Sequence, residues 1–130
     1  MFLGFLLRRM SYRTLGSMFT YDVAVTKGHS LIKSGPYSVV RHPGYSAVLA
    51  VLASETYLLL FAAGNYVDSC GIMGTPARWG IWWWYSGCVL SLMSLVRRSK
   101  VEDEMMRKQF GDEWITYSRQ VRYRLLPFVF

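Results

Sequence analysis

The chain has 130 residues, a net charge of +7, and 52% apolar and 16% aromatic residues. This length allows one domain, and a chain this short cannot bury the long apolar runs that it contains within a soluble core. The basic residues flank those runs, which is typical of membrane proteins and argues against a nucleic-acid-binding surface. We therefore predict a single membrane domain over residues 1–130.

The chain begins with an apolar segment, MFLGFLLRRM at residues 1–10. The segment is too short to cross a bilayer, and its charges follow the apolar stretch, whereas the charges of a signal peptide precede it. We expect the end of a helix whose earlier part is missing, or an interfacial anchor. We also expect the chain to be a truncated or shortened form of a longer protein.

Two apolar runs, at about 45–63 and 79–96, are each close to the ~20 residues that span a bilayer. The alternative, a pair of core helices in a soluble protein, is disfavoured because too few other residues remain to cover them. Glu55 lies in the middle of the first run. An ionisable residue within a membrane span is a functional candidate by default, although nothing in the sequence gives it a role.

The basic residues are distributed asymmetrically around these runs. Fourteen of the fifteen Lys and Arg residues lie within 8–41 or 97–124, and the loop at 64–78 holds only Arg78. By the positive-inside rule, we predict a membrane hairpin with both flanks in the cytosol and the loop on the opposite side.

The segment after the second run predicts two further helices. Residues 97–110 are rich in strong helix formers and stop at Gly111, and a second short helix follows at about 112–119. Arg98 and Glu102 are four residues apart and therefore share one face of the first of these helices. The simplest interpretation of the pair is a surface salt bridge, although glutamate before arginine is the more favourable order at this spacing.

The cysteines and histidines predict neither a disulfide nor a metal site. Cys88 lies within the second apolar run and Cys70 in the loop, too far apart in depth to pair easily, so we expect both to be reduced. The two histidines, His29 and His42, are 13 residues apart, and no cluster has the spacing of metal ligands.

The most specific motif of the chain is GHSLIKSGPYSVVRHPGY, residues 28–45, which fits the pattern H-x-L-[VI]-x-S-G-x-Y-x-x-x-R-H-P-x-Y. It is followed by the apolar hairpin and then by RRSKVEDEMMRKQFGDEWITYSRQV, residues 97–121. Over about residues 8–128 this arrangement resembles the isoprenylcysteine carboxyl methyltransferases. The motif occurs in looser form in phospholipid methyltransferases and related membrane enzymes.

The resemblance implies a fold and an activity. The expected fold is all-α: an integral membrane helical hairpin with flanking amphipathic or interfacial helices and a cytosolic cofactor-binding site. The expected enzyme is a multi-pass protein of the endoplasmic reticulum membrane. It transfers a methyl group from S-adenosylmethionine to the C-terminal carboxylate of prenylated proteins that end in farnesyl- or geranylgeranylcysteine. The expected partners are these protein C-termini and the lipid bilayer, with no nucleic acid and no metal.

The resemblance also assigns roles by position in the motif. Cofactor contacts fall to His29, Ser30, Leu31, Ile32, Tyr37, His42, Pro43, Gly44, Tyr45 and Glu102. Arg98 falls beside the substrate carboxylate, as the catalytic and substrate-binding residue, and Asp22 is placed where the family has another cofactor contact, although the local match is poor. The residue types suit these roles, because tyrosine rings attract cations and a guanidinium can hold a carboxylate with two parallel bonds. Arg41 either snorkels to lipid headgroups or braces the turn.

Two alternatives to the carboxyl methyltransferase remain open. One is a membrane methyltransferase for another lipid or for an amine. An amine acceptor would need deprotonation and would gain nothing from Arg98. The other is a non-catalytic, truncated membrane fragment, because relatives have further membrane helices before this region.

Overall fold

The computed structural model describes residues 1–16 and 30–128. The helices of this part are α1 (Phe2–Leu15), α2 (Pro43–Leu60), α3 (Tyr66–Ser69), α4 (Arg78–Phe110) and α5 (Asp112–Gln120), with short 3₁₀ turns at Gly35–Ser38 and Ile72–Gly74. No strand occurs in these residues. The predicted all-α class is therefore confirmed for the part of the chain that the structure describes.

The first predicted membrane span coincides with α2. Pro43 is the first residue of this helix, where its missing N–H costs nothing and its fixed φ suits a helical turn. Among the described residues, α2 is the one helix long and apolar enough to cross a membrane, with a mean hydropathy of 1.2 over 18 residues. Only 17% of it is buried inside the protein, whereas the core helix of a soluble protein is mostly buried.

The second predicted span forms the first half of α4. This helix is 33 residues long and continues without a break into the helix predicted at 97–110. It does not meet the hydropathy criterion that α2 meets, because tryptophan and tyrosine replace aliphatic residues in its first turns. The hairpin with two spans therefore stays a prediction. Trp79 and Trp83 are 67% and 83% exposed, as side chains at a lipid interface would be.

Glycine ends α4 as predicted and allows the chain to reverse into α5. Gly111 has φ 53° and ψ −122°, a conformation that residues with a Cβ avoid. α5 starts at the next residue and confirms the short helix predicted at about 112–119. Trp114 and Tyr117 of α5 form a small buried cluster with Val121, and this cluster fixes α5 against the end of α4.

The loop between α2 and α4 contains little regular structure beyond the single turn of α3. Asn65 caps α3, because its side chain accepts a hydrogen bond from the backbone N–H of Asp68. Both cysteines are free: Cys70 is exposed in this loop, and Cys88 is half-buried in α4.

The N-terminal segment is helical beyond its apolar part and packs along α2. The two helices approach closely at Gly4, which is buried against Ala47 and Val51. A Cβ added to Gly4 would lie 2.8 Å from Val51 Cγ2 and 3.0 Å from the carbonyl oxygen of Ala47. Glycine is thus required for this helix contact.

We expect Gly4→Ala to destabilise the protein by roughly 1–3 kcal/mol, because the new methyl group overpacks the contact between α1 and α2. The matched control is Gly87→Ala in α4, where an added Cβ meets no described atom within 4 Å. That change should be neutral or stabilise by up to about 1 kcal/mol through helix propensity. Unfolding free energies measured in mixed detergent micelles would test the pair, and equal effects at the two glycines would contradict the packing.

Candidate functional site

The Arg41-His42-Pro43 turn lies at the start of α2 and is held in place by the end of the chain. The backbone N–H of Arg41 donates to the carbonyl of Tyr123, and that of His42 donates to the carbonyl of Arg124, each at 2.9 Å. We call residues 122–125 the C-terminal segment. Its pairing fixes the backbone from which the His42 side chain projects toward α4.

A pair of neighbouring carboxylates on α4 faces the His42 ring. His42 Nε2 lies 2.8 Å from Asp103 Oδ1, and His42 Nδ1 lies 3.3 Å from Glu102 Oε2. Carboxylates only accept hydrogen bonds, so both ring nitrogens must carry a proton for both contacts to be favourable. The geometry is therefore that of a protonated imidazole between two anions.

Glu102 also connects the first turn of α2 with Arg98, which follows the apolar part of α4. Its Oε1 accepts hydrogen bonds from the Tyr45 hydroxyl and, at 3.2 Å, from Arg98 Nε. The Arg98 guanidinium lies 5.9 Å from the centre of the Tyr45 ring, and the His42 ring stacks on Tyr45 with centroids 5.7 Å apart. The salt bridge between Arg98 and Glu102 exists, as the simplest interpretation required, and it forms one edge of a larger cluster.

Asp103 is the buried centre of a second set of contacts. Its Oδ2 accepts from Arg41 Nη1 at 2.7 Å and from Arg124 Nε at 2.8 Å, while Oδ1 faces His42. Arg41 thus braces the turn, which was one of its two predicted roles. Its Nη2 also donates to the carbonyl of Arg122 at 3.1 Å.

The electrostatics of the cluster favour its charged form. Burial is the largest single effect on His42 and lowers its pKa, but hydrogen bonds and charges from Asp103 and Glu102 together outweigh it and raise that pKa above 6.5. Burial likewise raises the pKa of each carboxyl, yet the hydrogen bond from His42 and the surrounding charges leave both pKa values below the usual range. Both carboxylates are therefore ionised at neutral pH.

Of the predicted site residues, the structure brings together His42, Pro43, Gly44, Tyr45, Arg98 and Glu102. Tyr37 is half-buried nearby, where its carbonyl accepts a hydrogen bond from the Tyr117 hydroxyl at 2.7 Å. Burial raises the pKa of Tyr117 to about 12, so this hydroxyl remains a donor. Leu31 packs against the cluster formed by Trp114 and Tyr117.

The remaining predicted residues are placed only in part. Ser30 is exposed and Ile32 is half-buried, in the extended stretch before the Gly35–Ser38 turn. The predictions for His29 and Asp22 lie outside the described residues. Glu55 is half-buried in α2, away from the His42 cluster.

Three residues of the site were missed from the sequence: Asp103, Arg124 and Ser46. Asp103 follows Glu102 directly, and one signal was available, since aspartate is a poor helix former in the middle of a long helix. Arg124 and Ser46 gave no such signal, because their places in the site depend on hydrogen bonds to backbone carbonyls of the C-terminal segment. The Ser46 hydroxyl donates to the carbonyl of Leu125.

The arrangement fits the predicted cofactor. A carboxylate has about four acceptor positions, and Glu102 uses three of them, so one remains for an ammonium or hydroxyl group. A Cβ added to Gly44 would meet no atom of residues 1–16 or 30–128 within 4 Å, so these residues leave the start of α2 open beside the Tyr45 ring. Within the described residues, no group of three His, Cys, Asp or Glu side chains is arranged as metal ligands would be.

An apolar cleft between α2 and α4 begins about one turn from Tyr45. It has a volume of about 450 Å³ and is lined by Leu49, Leu52, Thr56, Phe61, Cys88 and Leu92, among others. Trp84 Nε1 donates to Thr56 Oγ1 at 3.4 Å and joins the two helices beside the cleft. The charged cluster and an apolar space thus lie along the same pair of helices.

The chain is similar to known methyltransferases over nearly all of its length. A probable protein-S-isoprenylcysteine O-methyltransferase of Oryza sativa is 28% identical over 129 residues, which are 98% of this chain and 57% of that protein. Protein-S-isoprenylcysteine O-methyltransferase B of Arabidopsis thaliana is 24% identical over 121 residues, 92% of this chain and 52% of that protein. The chain therefore spans little more than half the length of these relatives.

A more distant similarity points to another class of membrane enzyme. The Delta(14)-sterol reductase of Neurospora crassa is 28% identical over 119 residues, 79% of this chain and 24% of that protein. No solved structure matches the chain significantly. The profile of the isoprenylcysteine carboxyl methyltransferase (ICMT) family matches residues 1–71, more than half of the chain. The chain belongs to the isoprenylcysteine carboxyl methyltransferase family.

Proposed function

We propose that the chain uses S-adenosylmethionine to methylate the C-terminal isoprenylcysteine carboxylate of prenylated proteins. The observation that carries the proposal is the position of Arg98. Its side chain is 43% exposed and extends from the cluster of His42, Tyr45 and Glu102 at the end of the apolar part of α4. A cation placed beside a cofactor site and an apolar cleft suits an acceptor that combines a carboxylate with a lipid chain.

In this proposal Glu102 and Tyr45 hold the cofactor, with His42 supporting them. Bound S-adenosylmethionine supplies an activated methyl group on a sulfonium cation. The Glu102 carboxylate accepts from a donor on the cofactor, and the Tyr45 ring offers its π-face to positive charge. His42, stacked on Tyr45 and bonded to both carboxylates, keeps these two side chains in one arrangement.

Arg98 orients the acceptor. A carboxylic acid at a chain terminus is ionised at neutral pH and is already a nucleophile, so the reaction needs no strong general base. The enzyme then contributes alignment and the exclusion of water. Arg98 shares its charge with Glu102. This sharing weakens its grip on the acceptor and leaves the acceptor oxygen reactive.

The cleft between α2 and α4 suits the isoprenyl chain. It runs along α2 from Leu49 to the C-cap residue Phe61, about 18 Å at the ~1.5 Å rise of a helix. Its lining is almost entirely apolar, and its near end lies beside the turn of α2 that carries Tyr45. A prenyl chain in this cleft would leave its cysteine carboxylate near Arg98.

The location follows from the same chemistry. Cofactor reaches the site from the cytosol and the prenyl chain reaches it from the lipid, so the reaction takes place where the two media meet. We propose a multi-pass protein of the endoplasmic reticulum membrane, with α2 and the first half of α4 as a hairpin and the site facing the cytosol.

A second candidate is a methyltransferase that acts on another lipid or on an amine. The similarity to a sterol reductase supports this second candidate, because that relative is by name an enzyme that acts on a different lipid. A non-catalytic fragment is the third possibility, since the relatives are nearly twice as long as this chain.

We expect Arg98→Ala to reduce methyl transfer to a farnesylcysteine analogue by about 100-fold, a loss of about 3 kcal/mol in transition-state stabilisation. Binding of S-adenosylmethionine should stay close to the wild-type value. Glu102→Gln should instead weaken cofactor binding by about 10- to 100-fold, because a charge-assisted hydrogen bond is lost. Calorimetry and a methyl-transfer assay on the protein in membranes or detergent would separate the two effects.

Arg97→Ala is the matched control for this experiment, since it removes the same charge from the exposed neighbour of Arg98. Arg98→Lys should rescue activity only in part, because an ammonium cannot make two parallel bonds to a carboxylate. Wild-type turnover by Arg98→Ala would remove this residue from the mechanism, and faster methylation of an amine lipid would favour the second candidate. A wild-type chain that binds no cofactor would favour the non-catalytic fragment.

The hairpin makes a separate prediction about Cys70. In the Cys88→Ala variant, Cys70 is the remaining thiol and lies in the loop that the charge distribution places away from the cytosol. In sealed vesicles it should not react with an impermeant maleimide added from the cytosolic side until the membrane is permeabilised. A cysteine at the exposed position of Glu104, in a chain without Cys70 and Cys88, should react at once. Labelling of Cys70 in intact vesicles would refute this topology.

A further inference from the structure

Asp103 is central to the site and yet is closed to any ligand. Its side chain is 9% exposed, against 20% for Glu102 and 43% for Arg98. Both of its oxygens are occupied, Oδ1 by His42 and Oδ2 by the guanidinium groups of Arg41 and Arg124. Any effect of Asp103 on chemistry must therefore pass through these partners.

The path to the open part of the site runs through the His42 ring. Asp103 holds Nε2 at 2.8 Å, which directs Nδ1 toward Glu102 Oε2 at 3.3 Å. A rotation of the ring breaks both contacts together. Glu102 Oε1 in turn accepts from Tyr45 and Arg98, so the orientation of one imidazole determines the positions of three side chains in the open part of the site.

Asp103 also connects the C-terminal segment to this path. Arg124 reaches Asp103 with its side chain, and its carbonyl accepts the backbone N–H of His42 at 2.9 Å. Arg41 contacts the same carboxylate and donates to the carbonyl of Arg122. One carboxylate thus joins α4, the turn before α2 and the C-terminal segment.

We propose that Asp103 is a positioning residue of this site: it fixes the His42 ring in its doubly protonated orientation and through that ring sets the position of Glu102. The inference rests on the proposed function only for its effect on cofactor binding. The contrary view is that Asp103 serves only as part of a structural ion pair, because a buried carboxylate with several cationic partners also contributes to folding. The two views differ in what happens to His42 within the folded protein.

The first test follows the protonation of His42 directly. The chain has two histidines, so a ¹⁵N-histidine-labelled sample in detergent gives two ring systems, and a His29→Gln variant assigns them. The titratable and charged groups that face His42, directly or through Asp103, are Glu102 and Asp103 on α4, Tyr45 on α2, Arg41 on the turn and Arg124 on the C-terminal segment.

In the wild type, the His42 ring should carry both protons at neutral pH, since each of its nitrogens faces a carboxylate oxygen, which can only accept a hydrogen bond. Asp103→Asn keeps the size of the side chain but removes its charge, so the pKa of His42 should fall and its Nε2 and Nδ1 signals should move toward those of a neutral ring at pH 7. Asp103→Glu should restore the protonated ring at least in part. Glu104→Gln removes the charge of the exposed neighbour and should change neither signal.

The second test measures the consequence for the cofactor. Asp103→Asn should weaken S-adenosylmethionine binding by about 10-fold or more, a change comparable to that from losing a charge-assisted hydrogen bond. Arg124→Gln leaves the contact between Asp103 and His42 in place and should have a smaller effect. Circular dichroism restricts the comparison to folded protein, and if Asp103→Asn does not fold, Asp103→Ser, which also removes the charge, takes its place in the comparison with Arg124→Gln.

The two tests separate this inference from the proposed function. A wild-type chain that binds no S-adenosylmethionine would refute the proposed function, while the ring signals would still decide whether Asp103 controls His42. Folded Asp103→Asn with unchanged His42 signals would overturn the positioning role. If the wild type binds S-adenosylmethionine, the positioning role would also be overturned by an Asp103→Asn variant in which His42 is neutral but the affinity for this cofactor is unchanged.

Discussion

The site depends on one imidazole held between two neighbouring carboxylates. Glu102 and Asp103 are adjacent on α4 and meet the two nitrogens of His42, which lies at the start of a different helix. Two buried anions side by side would repel each other, and this cost is offset because a protonated ring and the surrounding guanidinium groups supply the opposite charge. The cluster therefore requires all of its members, and it holds α2, α4 and the C-terminal segment at fixed positions.

Glu102 and Asp103 illustrate how neighbouring acids acquire different roles. Successive residues on a helix point about 100° apart, so one carboxylate turns toward the open side of the site and the other toward the protein interior. Each carboxylate makes three contacts, but Glu102 is partly exposed and can reach a ligand, whereas Asp103 is buried away from one. The longer side chain, that of Glu102, faces the open side, where it must adapt to a ligand. The shorter one, that of Asp103, lies where its distance to His42 must stay fixed.

Local signals in the sequence predicted the helices well. The apolar run before Phe61 predicted α2, and the strong helix formers before Gly111 predicted the second half of α4. Helix propensity and glycine stops act over a few residues, so they can be read without knowledge of the fold. The short loop helix α3 lies within the segment predicted only as a loop, because one turn capped by Asn65 gives almost no periodic signal.

The site could be predicted only as far as its motif extends. Tyr45, Arg98 and Glu102 were named through a resemblance in sequence, and the structure brings them together. The contacts of Arg124 and Ser46 could not be predicted, because they depend on backbone carbonyls of an irregular segment about 80 residues away in the chain. Pairing between distant, non-periodic segments leaves no pattern in the sequence of either one.

The pairing of Arg41 with residues 122–123 also has a consequence for the order of biosynthesis. These contacts are separated by 81 residues or more, so the backbone of the turn before α2 lacks its partners in the C-terminal segment while α2 and α4 are being synthesised. Contacts of such high sequence separation form late, because a long loop must first be closed. The helices can thus form well before the site exists, and the site is assembled only after residues 122–125 have left the ribosome.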